Sequence, residues 1–464
     1  MSEFRPSRRT LLAGLGAGAA ILPSFAGVRA EAASVGGYKA LVCVFLLGGM
    51  DGHDVLIPYD APSHAEFTNL RRALAPEASR GRAVLQPLSP RNGERFGTRR
   101  FALPPEAPGL KRLFDEGKAS IVANVGPLVR PVTRTQYRND AVQLPPRLFS
   151  HNDQQSIWQA NAPEGARLGW GGLFADAAVR SGANRDAEAF STISTTGDNL
   201  FLTGENTTPF NVGTRGPTQI NVLSSAERRR GRNEEAEAAY QRLRRHFSAQ
   251  DYSGDNLIAR DVAAIMRQGL SSNEAYQAAL EEPPALGASF PDTRLGGQLR
   301  VIAETIAVRS RLGAGRQVFF AATGGFDTHS NQTGAMPALL GGLDAAISAF
   351  NAAMVSIGAD QDVTLFTGSD FGRTFAINGD GTDHGWGGHH FVVGGAVDGG
   401  RIIGDPPPPG FDHAYDAGRG RLIPQISVDQ YAADLGRWFG LSGPDLDTAL
   451  PNLREFDTSS RIMV

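Results

Sequence analysis

Cysteine is almost absent: Cys43 is the only one in 464 residues. No internal disulfide can form, and no thiolate cage can hold a metal, so any metal ion must be bound by Asp, Glu and His. Cys43 itself lies inside an apolar strand pattern and reads as a small buried hydrophobe. A Gly-x-Ser-x-Gly elbow is also missing, which leaves a metal-independent serine hydrolase without its usual sequence support. Past the first thirty or so residues no stretch suggests a stable membrane span, which needs about 20 apolar residues. Excess positive charge is lacking too, since the formal net charge is −3. The basic cluster Arg228 to Arg232 with Arg242 to Arg245 is interleaved with Glu234, Glu235 and Glu237 and reads as a solvated helix face, so a nucleic-acid partner is not expected. There is no internal repeat and no low-complexity tract beyond Pro406 to Pro409.

What is present begins with the N-terminal string SRRTLLAGLGAGAAILPSFAGVRAEAA. Arg8 and Arg9 precede a short Gly/Ala-rich apolar stretch from Leu11 to Leu22, and Ala30, Ala32 and Ala33 offer small-residue cleavage sites. This order of regions predicts a twin-arginine signal over residues 1–33, a partnership with the twin-arginine translocation machinery, and a periplasmic or secreted destination. Losing residues 1–30 removes Arg5, Arg8, Arg9, Arg29 and Glu3, a net loss of three positive charges that takes −3 to −6. Residues 34–464 are expected to form a single large domain.

The apolar run Ala40 to Leu47 reads as a central strand buried on both faces. Further strands are expected at Ala119 to Val125, Ala187 to Ser194, Leu200 to Thr203, Gln317 to Ala322, Val363 to Thr367 and Phe391 to Val393. Helices are expected at Pro105 to Gly117, after Ser150, at Thr293 to Leu312, at Gly334 to Ile357 and at Ser427 to Phe439. Residues 71–100 read as a surface excursion, and the charged, Ala-rich segment 225–282 as a helical insertion. Alternation of this kind predicts an α/β fold, a mostly parallel central sheet with helices on both faces. Ligands of such sheets sit beyond the carboxyl ends of the strands.

Three expected strand ends carry acids and histidines. They are GGMDGHD with Asp51, GGFDTHSNQ with Asp327 and His329, and GSDFGRT with Asp370, followed by NGDGTDHGWGGHH with Asp383, His384, His389 and His390. In a parallel sheet these ends share one edge, and like carboxylates do not gather without a cation. Imidazole with carboxylate and no thiolate suits zinc, manganese or a similar divalent ion, with calcium as a further option. Taken singly, an Asp before Gly is an ordinary turn residue, and adjacent His389 and His390 cannot both point the same way from a strand. Ser150 opens a helix, which suits an N-cap or a nucleophile at the positive end of the helix dipole. His151, Asp153 and Gln154 would line the same pocket, and Arg373 and Arg147 could clamp an anion or lie on the surface.

The twin-arginine start, FLLGGMDGHDVLIPY, SHNDQQSIWQ, GGFDTHSNQ and GSDFGRT through GTDHGWGGHHFVVGG together resemble a bacterial family known as domain of unknown function 1501. That family is similar to the alkaline phosphatase and sulfatase superfamily of metal-dependent ester hydrolases. The resemblance implies an alkaline phosphatase-like fold, with Asp51 in the first-strand place, Ser150 in the nucleophile place and Asp327 with His329 as a later pair. It gives Asp370 the strand-end place, and His384 or His389 that of the last histidine. Two departures stand out. Phe371 occupies the position of the superfamily's histidine after Asp370, and Asp383–His384–Gly385 comes thirteen residues later, so either the loop folds back or one metal site is lost. The Cys/Ser-x-Pro-x-Arg pattern of sulfatases is also absent around Ser150. The expectation is a metal-dependent hydrolase of small anionic phosphate or sulfate esters; the alternative is a non-catalytic binding or scaffold protein that keeps the fold.

Overall fold

The computed structural model describes residues 37–184, 187–217, 219–248, 256–458 and 462–464. The signal expected at residues 1–33 lies outside them. The described residues all belong to one unit, Val35–Val464. Seven strands organise it: β1 Lys39–Leu46, β2 Ala119–Gly126, β3 Thr192–Ser194, β4 Phe210–Gly213, β5 Arg316–Thr323, β6 Val363–Ser369 and β7 Gly388–Val393. They lie side by side in the order β2-β7-β6-β1-β5-β3-β4. All run parallel except β7, which is antiparallel to both β6 and β2.

The continuous apolar run of β1 has a simple cause. Ala40, Val42, Val44 and Leu46 feed one core, while Leu41, Cys43 and Phe45 feed the other. Successive side chains alternate between faces, so a strand covered on both sides must be apolar throughout. The first core takes Leu299, Ile302 and Ile306 from helix Arg294–Ala307 and Leu343, Ile347 and Phe350 from helix Gln332–Ser356. The second takes Trp158 from helix His151–Ala160, Trp170 and Phe174 from helix Trp170–Arg180, and Tyr431 and Leu435 from helix Val428–Phe439. Each such burial contributes about 1.5–3 kcal/mol. The mostly parallel sheet with helices on both faces is therefore observed. Helix Gln332–Ser356 is the one described helix long and apolar enough to cross a membrane by length and composition. Half of its apolar stretch is buried, with Leu340, Leu343, Ile347 and Phe350 in the first core.

Five expectations are corrected. Leu200–Leu202 is a 3-10 turn rather than a strand, and only Thr192–Ser194 of the stretch from Ala187 is extended. The strand expected at Phe391 starts at Gly388 and runs against its neighbours. The helical insertion starts earlier than expected, with helices Asn221–Glu227, Glu234–Ser248 and Leu257–Ala279. The segment 71–100 is not a mere surface excursion, because Arg71 and Arg80 are buried and pair with Asp51 at 2.5 Å and Asp54 at 2.6 Å. Two of the arginines that made the segment look solvated neutralise buried acids, while Arg72, Arg82, Arg91, Arg95 and Arg100 are exposed.

Candidate metal centre

Strands β5, β1 and β6 are adjacent and in parallel register, with Leu46 opposite both Thr323 and Ser369. Their carboxyl ends therefore lie together, and Asp327, Gly48 and Asp370 follow them. Gly48 (φ +114°) and Gly49 (φ +89°) turn the chain away from the sheet. A Cβ on Gly48 would stand 2.3 Å from the Asp327 nitrogen, and one on Gly49 would stand 2.5 Å from the Phe371 ring. Only glycine permits both the turn and the approach.

Four groups converge at this edge. His151, at the start of helix His151–Ala160, places Nδ1 2.6 Å from Asp370 Oδ2 and Nε2 3.5 Å from Asp327 Oδ2. His384 comes from a hairpin, Arg373–Asn378 with Gly381–His384, in which Arg373 and His384 are opposite each other. His384 Nδ1 lies 2.7 Å from the Phe149 carbonyl, and His384 Nε2 3.4 Å from Asp327 Oδ1. His329 Nε2 is 3.0 Å from Asp327 Oδ1 and 2.8 Å from His384 Nε2. His151, Asp327 and His384 each offer a donor atom, all within 4.8 Å of one another, a spacing suited to a metal ion. The carbonyl of Phe149 and the Asp370 carboxylate only accept, so Nδ1 carries the hydrogen on both His384 and His151. On a neutral ring that leaves the lone pair on Nε2, an atom that faces His329 in His384 and has no hydrogen-bond partner in His151.

The electrostatics follow from the neighbours. The Asp370 hydrogen bond raises the His151 pKa above the ordinary histidine value, ahead of the opposing effect of burial. Burial lowers that of His384, outweighing its bond to Phe149. Burial would raise Asp327, but the Arg373 hydrogen bond and charge, with His329 and His151, hold it below the usual carboxylate range. Phe371 packs under the imidazoles, its ring 4.8 Å from His151 and 4.7 Å from His384. Phe149, whose carbonyl holds His384, has φ +74°, a costly conformation for a bulky residue.

Not every candidate joins this group. Asp51 is sealed from solvent and accepts bonds from Arg71 at 2.5 Å and Gln332 at 2.6 Å. Burial, the largest single effect, raises its pKa, yet the charges of Arg71 and His53 and the hydrogen bonds from Arg71 and Gln332 together outweigh it and the net shift is downward. His389 is buried and its Nδ1 accepts the Asn124 amide at 2.9 Å, while His390 lies beside Trp158, with ring centroids 5.1 Å apart. Asp383 stands at the margin, 3.7 Å from His329 and 2.9 Å from Arg419. Asp370 touches His151 but is not among the three clustered donors. Ser150 donates to Asp153 at 2.9 Å, and its side chain makes no helix-cap bond. Arg373 is not free to clamp an anion, because it donates to Asp327 at 2.6 Å, to the Gly48 carbonyl at 3.1 Å and to Thr382. Gln154 holds the Pro146 and Arg147 carbonyls rather than lining the cluster.

Sequence reasoning missed Gln155, which donates to Asp370 at 2.9 Å, and Arg71 and Gln332 on Asp51. Gln155 had a signal, since it stands four residues after His151 and so shares its helix face.

A search of curated proteins found no match. Among solved structures the chain aligns with the PsFucS1 sulfatase from Pseudoalteromonas sp., at 8% identity and a TM-score of 0.35, over 92% of this chain and 74% of that one. It aligns with the alkaline phosphatase from the Antarctic bacterium TAB5 at 8% identity and a TM-score of 0.28, over 78% of this chain and 92% of that one. It aligns with the lipoteichoic acid synthase LtaP from Listeria monocytogenes at 8% identity and a TM-score of 0.29, over 92% and 74%. At such scores these alignments carry no weight for the chemistry, and the architecture rests on its own strand order. The sequence match is of another kind: residues 38–445 match the family described as Protein of unknown function (DUF1501), and the chain belongs to it.

Proposed function

We propose that the protein is an exported, metal-dependent hydrolase of small phosphate or sulfate esters, with a divalent ion held by His151, Asp327 and His384. The observation that supports this most is the convergence of those three donors, from separate parts of the chain, within 4.8 Å. The residues suit the group. Two imidazoles and a carboxylate match zinc or manganese, and His151 Nε2 is buried without a hydrogen-bond partner. Bound there, the ion would supply Lewis-acid polarisation of the ester and ease ionisation of water.

The protein's own groups have distinct parts. Arg373 balances the charge of Asp327 and fixes its orientation. His329, with its side chain 45% exposed, stands at the mouth, placed to pass a proton to a leaving alcohol. Arg419 and Arg147, 51% and 70% exposed, favour the approach of an anion. Because the Ser150 hydroxyl is held by Asp153, water is the nucleophile in this reading. Export rests on the Arg8–Arg9 signal and would place the enzyme in the periplasm or outside the cell.

A second reading, a non-catalytic binding protein on the same fold, is favoured by one specific observation. Two strand-end acids, Asp51 and Asp327, are already met by arginines. Elemental analysis of the full chain, beside an Asp327→Ala/His384→Ala variant, separates the two when joined to assays on p-nitrophenyl phosphate and sulfate. Stoichiometric metal and metal-dependent turnover, both lost in the variant, are expected. A folded protein that stays empty with zinc, manganese and calcium would end the hydrolase reading. Metal without turnover of any ester would favour the binding protein.

A further inference from the structure

Asp370 follows a strand end like Asp327, yet its surroundings assign it different work. We infer that Asp370 is a positioning residue that aims His151, rather than a metal ligand, and that Gln155 and the Gly48 amide hold it to that task. This rests on the metal reading above.

Asp370 is fully buried, and one of its oxygens, Oδ2, takes every bond it makes. Oδ2 accepts from His151 Nδ1 at 2.6 Å, from Gln155 Nε2 at 2.9 Å and from the Gly48 amide at 3.2 Å. Three donors on one oxygen fix its place. That oxygen lies on the Nδ1 side of the His151 ring, whereas Asp327 lies on the Nε2 side. An oxygen bound to one ring nitrogen cannot share an ion with the other, because the ring stands between them. The second oxygen, Oδ1, is buried without a hydrogen-bond partner, and Asp370 stays outside the cluster of three donors. Its effect is to keep the hydrogen on Nδ1, the lone pair on Nε2 and the ring plane turned to Asp327 and His384. His384 is handled alike, with the Phe149 carbonyl in the carboxylate's place. Both imidazoles are thus pinned at Nδ1 and offered at Nε2, an outer-layer arrangement that characterises metal-binding histidines.

The source of the second holding group supports this. His151 and Gln155 are four residues apart on one helix, so a single helical face supplies both the imidazole and the donor that steadies its carboxylate. Gly48 supplies the third donor from the end of β1, tying the imidazole's orientation to the centre of the sheet.

The test is titration of the full-length protein with zinc and with cobalt(II), the cobalt visible absorption reporting ligand geometry. Asp370→Asn should still take up one ion per chain, with affinity weakened by about 10–100-fold and an altered cobalt spectrum. Gln155→Met should weaken affinity less, in the same direction, and covers the case in which Asp370→Asn does not fold. Asp327→Ala should lose the ion. If Asp370→Asn folds but binds no ion, Asp370 is a ligand and the inference falls. It also falls if both variants bind with native affinity and an unchanged spectrum. Failure of the native protein to bind either ion would overturn the metal reading itself, a result readable before any variant is made.

Discussion

Two groups of acids and histidines share the carboxyl edge of one sheet and have opposite characters. In the open group, the side chains of Asp327 and His329 are 44% and 45% exposed and those of His151 and His384 are 28% and 25% exposed. In the sealed group, Asp51 is 0% and His389 3% exposed, and the Nε2 atom of His53 is buried without a partner. The residue types are the same, and so is the strand-end placement. What differs is how each carboxylate is neutralised. Asp51, out of reach of water, is met by the permanent charge of Arg71, and its neighbouring imidazoles are kept neutral, with burial pushing His389 down to about 4 and His53 to about 3. Asp327 is met by Arg373 on one side and by three imidazoles on the other, within reach of solvent. A carboxylate whose charge is already cancelled in a dry pocket has nothing left to offer a cation, whereas one ringed by lone pairs and open to water does.

The sharpest way to break this comparison is metal uptake. His384→Ala or Asp327→Ala should abolish binding, whereas His389→Gln should leave the ion count of the native protein unchanged, both read by elemental analysis. Retention in the first pair with loss in the third would exchange the roles of the two groups. Next in size is the sealed ion pair. Arg71→Met strands a buried carboxylate, and loss of one partner from such a pair costs about 3–5 kcal/mol. Denaturant unfolding should show that loss without Asp51 gaining any metal. A loss below about 1 kcal/mol, as for exposed ion pairs, would mean that water reaches Asp51 and that the two groups are less different than they look.

The frame of this comparison was legible in the sequence, and its contents only in part. The unbroken apolar run from Ala40 announced a strand covered on both faces, and GGMDG, GGFDT and GSDFG announced three turns at one edge. The convergence of His384 on Asp327 was legible as an option, because the glycines around Asp383 allow the chain to return. The partition into two groups was not. It depends on Arg71, which reaches Asp51 from a segment whose arginines suggested a solvated surface, and on Gln332, the first residue of a long helix. No local pattern announces a side chain 20 positions away in sequence that closes a salt bridge. The antiparallel β7 was equally hidden: a short apolar strand carries no mark of its direction, and its running against β6 and β2 is fixed by pairing rather than by composition.

Acid offers a gentler probe of the sealed group. The folded pKa values of His53 and His389 lie below the ordinary value of about 6.5, so the stability they lend is present in full above that value and is lost as pH falls through about 4 and then about 3. Burial is the main cause for both, with Asp51 opposing it, and Arg71 adds to it at His53. Unfolding free energy measured by urea titration should therefore fall between pH 6.5 and pH 4, by on the order of 3 kcal/mol for His389. His389→Gln should remove one share of that slope, leaving the equal shares of His53 and His390, which burial pushes down to about 3. An unchanged slope in the variant would show that His389 is hydrated in solution.

The smallest expected effect belongs to Ser150, which sits at the rim of the open group. Its hydroxyl donates to Asp153, which also takes weaker contacts from Arg147 and the Glu164 amide. Ser150→Ala should therefore cost about 1 kcal/mol or less, leave metal uptake intact and leave any ester turnover close to native. Stability and turnover together make this a test of the nucleophile. If the variant binds metal normally but turnover collapses, the serine must leave Asp153 and attack the ester itself. The Asp153 bond would then be a resting position, and the open group would work through the helix start rather than through water.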